Sequence, residues 1–427
     1  MDLNKVKKVY FIGIGGIGMS AVARMFLHQG KQVYGSDMGS SKITEELTKL
    51  GAKIHIGNPE TTLPEGLDVV VYTVAISETH PEFVFAKSKN IPVISYPESL
   101  GLISKDKFTI AVAGTHGKTT TTAMIAQVLI EAGLDPTVIV GSLLKSGTNF
   151  IAGKSKYLVV EACEYKRSFL NIKPDIAVIT NIDDDHLDYY KNLAGIQEGF
   201  SEFIHGIRQG GILVTNLGDK NVKPILSTFS AKVIDYTSVQ ENISLGVPGQ
   251  HNIKNAKAAF VVADQLGIPK EKILSGLKNF TGTWRRFEKI GETGSGALVY
   301  DDYAHHPTEI RATLDAAREK FPDERIIAVF QPHLYSRTKE HFKEFGSALA
   351  PANQTLILPI YAAREPKDPS ISNQILAQEI QREGVHATAF ETFESAKEFL
   401  NSNLKRGDVV FTIGAGDIHK LSKMLVS

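Results

Sequence analysis

Apolar positions along this chain fall into two recurring patterns. Short runs rich in Val, Ile, Tyr and Phe alternate with longer stretches whose apolar residues recur three or four apart. The first pattern predicts strands and the second helices. Strands are predicted at Val9–Ile14, Lys31–Asp37, Leu67–Val74 and Ile91–Ser95, with a helix near Met19–His28 following the first. A second set comprises Phe108–Ala113, Tyr157–Glu161, Asp175–Thr180 and Gly211–Thr215. A third begins near Arg286 and includes Ala297–Tyr303, Arg325–Phe330, Thr355–Pro359 and Asp408–Ile413. Strand and helix alternate throughout, which predicts an α/β fold built from parallel βαβ units. Polar or glycine-containing stretches at Ser104–Lys107 and Thr281–Arg286 are candidate domain boundaries. No low-complexity segment and no fixed-period repeat interrupts the pattern.

Composition narrows the class. The 427 residues suggest two to four domains, with three the central expectation. The 47 basic and 47 acidic residues balance, so charge offers no global case for nucleic-acid or anionic-membrane binding. No apolar run approaches the roughly 20 residues that span a bilayer. The opening MDLNKVKKVYFIGIGG puts basic residues before an apolar stretch, but it lacks a small-residue cleavage site and runs into a glycine turn. It is therefore expected to be a first strand and not a signal peptide. The single cysteine, Cys163, excludes an internal disulfide and fits a reducing cytoplasm. With no Cys–His arrangement apparent, it is expected to be a small buried residue.

Chemistry concentrates where strands end. Gly13, Gly15, Gly16 and Gly18 form G-x-G-x-x-G between the first strand and its helix. Such a turn lets the backbone approach a diphosphate at a helix N-terminus, and Asp37 follows about 20 residues on, where a carboxylate can accept from a ribose. A nicotinamide dinucleotide, another nucleotide diphosphate and tight packing all remain open on this motif. Gly114-Thr115-His116-Gly117-Lys118-Thr119-Thr120 likewise ends a strand and opens a helix. Its backbone N–H groups would cradle ATP phosphates, Lys118 would reach the β- and γ-phosphates, and the Thr119 hydroxyl would ligate Mg²⁺. Val112 occupies the place of the first glycine of the full phosphate-loop spacing. Two later strands end in ligand-type residues: Glu161 with Glu164, and Asn181 with Asp183, Asp184, Asp185, His186 and Asp188. In a parallel sheet they can converge on the phosphate loop, as oxygen and imidazole donors suited to Mg²⁺ or Mn²⁺. The aspartates could equally be a solvated helix start.

In order, GIGGIGMSA, AGTHGKTTTTAM, EACEYKRSFL, TNIDDDHLDYY, GQHNIKNAKAA, RRFE, DDYAHHPTEI, FQPHLYSRT and GAGDI span nearly the whole chain. The sequence thereby resembles the Mur ligase family of peptidoglycan synthesis, in particular the branch that adds L-alanine to UDP-N-acetylmuramate. The resemblance implies three α/β domains, each on a mostly parallel sheet. These are an N-terminal Rossmann-like UDP-sugar domain (1–105), a central P-loop ATPase (106–283) and a C-terminal Rossmann-like domain (284–427) that closes over ATP and takes the amino acid. It favours a UDP diphosphate over NAD at the first glycine turn. It implies ATP as co-substrate and two Mg²⁺ ions, the first on Thr119 and Glu161, the second on Glu161 and His186. It further implies Asn255 at adenine, Arg286 and Asp302 reaching ATP, and His333 with Arg337 as the amino-acid pocket. His305 and His306 lie near the reaction centre in this picture. A cytoplasmic enzyme, monomeric or weakly dimeric, is expected.

There are departures. The family more often reads E-A-D-E-S-D where this chain has Glu161-Ala162-Cys163-Glu164-Tyr165-Lys166, and Leu334 stands where arginine is common. Asn192–Ile207 contains no lysine that could be carbamylated as a metal bridge. Competing readings are a nicotinamide-dependent oxidoreductase, which leaves the phosphate loop unused, and a P-loop kinase. Within the family, the alternative is a ligase that attaches a preformed tripeptide.

Overall fold

The computed structural model describes residues 1–363 and 365–426. Three sheets carry the fold. In the first, β1 (Lys8–Ile12), β2 (Gln32–Asp37), β3 (Lys53–Ile56), β4 (Val69–Tyr72) and β5 (Val93–Ser95) lie in the order β3-β2-β1-β4-β5. All of its pairings are parallel. The strand order reverses beside β1, which opens a crevice at the carboxyl ends of β1 and β4. Val9, Phe11, Val69 and Val71 are fully buried on one face, and Tyr10, Ile12 and Val70 on the other, as a two-sided parallel sheet requires.

The second sheet holds β6 (Phe108–Ala113), β7 (Thr137–Ile139), β8 (Phe150–Ile151), β9 (Tyr157–Glu161), β10 (Ile176–Ile179), β11 (Ile212–Thr215) and β12 (Lys232–Asp235). Their order is β12-β11-β10-β6-β9-β7-β8, parallel except for the β7–β8 pair. The third holds β13 (Glu288–Glu292), β14 (Leu298–Asp302), β15 (Ile326–Phe330), β16 (Gln354–Ile357), β17 (Ala387–Ala389) and β18 (Val409–Ile413) in the order β13-β14-β18-β15-β16-β17, with only β13 antiparallel. The expected α/β architecture with three mostly parallel sheets is what the chain adopts.

By packing, the chain forms two compact units: Met1–Ser244 with Lys254–Phe280, and Leu245–Ile253 with Thr281–Ser427. The first unit carries the first two sheets. The third sheet is covered on its two faces by separate apolar clusters, around Phe330 and Phe411 on one side and around Val329 and Val410 on the other.

The predicted strands all appear, most with ends shifted by one or two residues and Phe108–Ala113 and Tyr157–Glu161 unchanged. The six that went unpredicted are β3, β7, β8, β12, β13 and β17. Four of them, β3, β8, β13 and β17, sit at sheet edges, and β12 at a fifth. Edge strands bury one face at most, and β3 and β13 bury no residue fully, so no apolar run marks them. One residue-level expectation fails. Cys163 is exposed, not buried. Beyond β9 the chain keeps its alternation, so Ala162 and Glu164 turn inward and Cys163 faces out.

Candidate active site

The glycine turn after β1 lines a cleft of about 440 Å³ together with Ser36, Asp37 and Thr73, at the strand-order reversal. Gly13 closes the strand with a positive φ of 78°. The Gly15 N–H donates to Asp37 Oδ2 at 2.9 Å. Asp37 is thus brought directly onto the turn, not merely to its neighbourhood. Beneath the cleft, Glu82 is fully buried and accepts from Tyr10 Oη at 2.9 Å and from the Ser36 hydroxyl at 2.5 Å. These two bonds tie β1, β2 and the helix Pro81–Ser88 together.

The phosphate loop follows β6 and leads into the helix Lys118–Glu131. Two of its glycines are required by space as well as by angle. Gly114 has φ 129°, and a Cβ there would lie 2.0 Å from Thr180 Oγ1. Gly117 has φ 83°, and a Cβ there would lie 2.6 Å from Asn255 Oδ1. That close approach places Asn255, on the helix Gln250–Gln265, against the loop. The loop is braced from β10: Asn181 Oδ1 accepts the His116 N–H at 3.0 Å, and Thr180 Oγ1 donates to the His116 carbonyl at 2.6 Å. The His116 ring pairs with Asp183 at 3.1 Å, and the Thr115 hydroxyl donates to the Asp183 carbonyl at 3.3 Å. Asp183 therefore serves the loop itself, a role the sequence did not distinguish from a solvated helix start.

Lys118 lies back across this loop. Its ammonium donates to the carbonyls of Gly114 at 2.6 Å and Thr115 at 3.0 Å, and to Glu164 Oε1 at 2.9 Å. Burial pulls its pKa down, but the carboxylate of Glu164 and the neighbouring groups outweigh that and hold it above the ordinary lysine value. Thr119 donates to Glu161 Oε2 at 2.8 Å, and the Gly141 N–H donates to the same oxygen at 2.7 Å. Thr120 is buried in the first turn behind them. His186, in a left-handed conformation with φ 56°, places Nε2 3.9 Å from Glu164 Oε1. The Tyr165 ring lies against His186, centroids 4.8 Å apart. The Thr119 hydroxyl, the Glu161 carboxylate and the His186 imidazole are donor types suited to Mg²⁺ or Mn²⁺, with Thr119 bonded to Glu161 and His186 beside Glu164. The sequence grouped Glu164 with Glu161 as ligand-type residues near the phosphate loop, but did not assign it the role it takes here, as the ion partner of Lys118.

In the second unit, Asp302 ends β14 and accepts N–H bonds from Phe287 and Ala304, both at 2.8 Å. Arg286 lies over the Tyr303 ring, 5.4 Å from its centroid, and 3.8 Å from Glu309. His305 also pairs with Glu309, at 3.3 Å, whereas His306 caps the helix Pro307–Lys320 through Thr308 N–H. Burial raises the Asp302 carboxyl from 3.8 to about 6, against the lowering effects of Arg286 and the two backbone donors. The folded chain thus holds this proton more tightly than the unfolded chain. Its stabilising contribution is complete below the unfolded value near 3.8 and is lost as pH rises through about 6. Asp302→Asn is expected to abolish that slope. The stability difference between variant and wild type should change on the order of 3 kcal/mol across this window, read by urea unfolding at a series of pH values. Parallel profiles for the two proteins would show that Asp302 titrates normally.

After β15, His333 and Arg337 are brought together. Arg337 Nη1 donates to His333 Nδ1 at 3.2 Å, and the His333 ring stacks on Tyr361 with an interplanar angle of 14°. An arginine cannot accept, so Nδ1 carries no proton in this pairing. Leu334, with φ 69°, turns the chain into the helix Tyr335–Glu340. Arg337 is only 9% exposed.

Family models match three stretches of the chain: the Mur ligase family catalytic domain at residues 8–108, the Mur ligase middle domain at 112–242, and the Mur ligase glutamate ligase domain at 285–416. A UDP-N-acetylmuramate–L-alanine ligase of Clostridium kluyveri is 43% identical, covering 100% of this chain and 99% of its own. That of Clostridium acetobutylicum is 41% identical over 99% and 98%. Among solved structures, the UDP-N-acetylmuramate-alanine ligase of Thermotoga maritima matches with a TM-score of 0.81 at 29% identity over 98% of each chain. A murein peptide ligase of Psychrobacter arcticus shares the fold, with a TM-score of 0.70 at 23% identity over 98% of each chain.

Proposed function

The chain belongs to the Mur ligase family, and on that footing we propose that it joins L-alanine to the lactyl carboxylate of UDP-N-acetylmuramate, with ATP converted to ADP and phosphate. The observation that carries the site assignment is the phosphate loop itself, with Lys118 across it and the Thr119–Glu161 pair at its end. In this reading residues 1–105 take the UDP-sugar, 106–283 take ATP, and 284–427 supply the amino-acid pocket.

The chemistry follows from what a carboxylate cannot do. It is a poor acylating agent because attack by an amine would have to expel oxide. The lactyl carboxylate first attacks the γ-phosphorus of ATP, ADP leaves, and an acyl phosphate forms. The neutral amine of alanine then attacks the acyl carbon, and phosphate leaves from the tetrahedral intermediate. The first step joins two anions. Lys118 lowers that repulsion by placing positive charge at the transferring group. Thr119, Glu161 and His186 would hold Mg²⁺, which when bound screens phosphate charge. The glycine turn and Asp37 would hold the UDP diphosphate and ribose, Asn255 the adenine, and Arg286 and Asp302 the nucleotide from the second unit. His333 and Arg337 would orient alanine, and aligning its amine is a gain in effective concentration. We further assign the enzyme to the cytoplasm, as a monomer or weak homodimer. No helix among the described residues is long and apolar enough to cross a membrane.

Product analysis tests this. With UDP-N-acetylmuramate and a panel of amino acids, L-alanine is expected to give ADP, phosphate and an amide in equal amounts. A phosphorylated sugar nucleotide without amide would make the protein a kinase, and acceptance of a tripeptide in place of alanine would move it to another branch. UDP-N-acetylmuramate is also expected to raise the melting temperature where NAD does not. Stabilisation by NAD alone would restore the oxidoreductase reading.

A further inference from the structure

We propose that Glu164 makes nucleotide binding depend on a divalent cation, by serving as the counter-ion that Lys118 must abandon when phosphates arrive. The inference rests on the ATP reading above.

An ammonium has three N–H donors. In Lys118 all three find acceptors within the protein: the Gly114 carbonyl at 2.6 Å, the Thr115 carbonyl at 3.0 Å and Glu164 Oε1 at 2.9 Å. A phosphate must therefore displace at least one of them. The two carbonyls are neutral and belong to the loop. Glu164 alone competes with phosphate as an anion.

Glu164 cannot follow the lysine or retreat to water. Its side chain is 3% exposed. Its own carbonyl is held by the Tyr190 hydroxyl and by the Arg167 N–H. Its second oxygen, Oε2, is buried with no hydrogen-bond partner among the described residues. Once Lys118 turns to the phosphates, this carboxylate becomes a buried charge without its ion partner, which is strongly disfavoured. An anionic nucleotide alone worsens the imbalance. A divalent cation arriving with it restores the balance beside the Thr119–Glu161 pair.

The test is calorimetric binding of β,γ-imido-ATP to the full chain, in EDTA and in excess MgCl₂. In the wild type, magnesium is expected to tighten binding by about 30-fold or more. In Glu164→Gln the metal-free affinity should rise about tenfold, and the magnesium ratio should shrink to a few-fold. A merely structural role for Glu164 would weaken both conditions alike and leave the ratio unchanged, and that result overturns the proposal. A second measurement does not need that variant. Lys118→Met leaves Glu164 unpartnered without any nucleotide, so MgCl₂ alone is expected to raise its melting temperature well beyond any rise in the wild type. Equal shifts in the two proteins overturn the proposal. If the wild type binds no adenine nucleotide even with magnesium, the ATP reading falls, and this inference with it.

Discussion

Lys118→Ala is expected to lower ADP formation by about 10³-fold or more, because the transferring phosphoryl group loses the one side-chain cation its loop provides. The structure adds a second effect. Lys118 is the partner of a buried carboxylate, Glu164, at 2.9 Å. Removing one member of a buried pair typically costs about 3–5 kcal/mol, so the variant should also melt earlier. The two effects separate in the double variant Lys118→Ala/Glu164→Gln. Neutralising the orphaned carboxylate should recover most of the lost stability and none of the lost rate. Steady-state ADP release, measured below the melting range of each protein, decides the matter. A single variant that keeps a large share of wild-type ADP production would refute the phosphate-loop assignment.

Arg337→Ala is expected to raise the KM for L-alanine about 100-fold while leaving that for ATP little changed and UDP-N-acetylmuramate binding intact. Alanine offers a carboxylate, an amine and a methyl group. A guanidinium grips a carboxylate through two parallel N–H bonds, each worth about 1.5–3 kcal/mol when charge-assisted. The His333 Nδ1 contact at 3.2 Å and the His333–Tyr361 stack fix the direction in which that planar group points. Arg337→Lys should rescue only part of the loss, because an ammonium cannot make the two-point contact. A pocket that recognises one methyl group discriminates by only about 1 kcal/mol, so glycine should remain a poor but measurable substrate. An Arg337→Ala enzyme with normal alanine kinetics and a raised ATP requirement would assign the arginine to the nucleotide.

What could be read from the sequence was local. The phosphate loop, the glycine turn and Glu161 each occupy a strand end, and strand ends are marked by the apolar run that precedes them. Gly15 and Asp37 lie 22 residues apart, within one βαβ unit whose length is nearly fixed, so their meeting was foreseeable. Lys118 and Glu164 are 46 residues apart, each just beyond the end of a strand, β6 or β9, and they become neighbours only when those strands pair. The parallel-sheet argument predicted convergence on the loop, but not which side chain would meet which. The same limit applies to Asp183, which reaches His116 across 67 residues. Cys163 was misjudged for a different reason. Residue type predicted its burial, while the alternation inherited from β9 decided it.

The bond from Gly15 to Asp37 has a consequence for selectivity between ligands. A glycine turn at a helix N-terminus is ordinarily an open receptor for any small anion. Here a carboxylate oxygen already sits 2.9 Å from one of its N–H groups. Inorganic phosphate, a product of the reaction and an abundant solute, brings negative charge to a place that has some already. A nucleotide would bring hydroxyl donors that could give the Asp37 carboxylate a new partner as the diphosphate takes its place. If the cleft takes a sugar nucleotide, it would sort its visitors by what they can donate as well as by their charge, and product phosphate would gain little hold there.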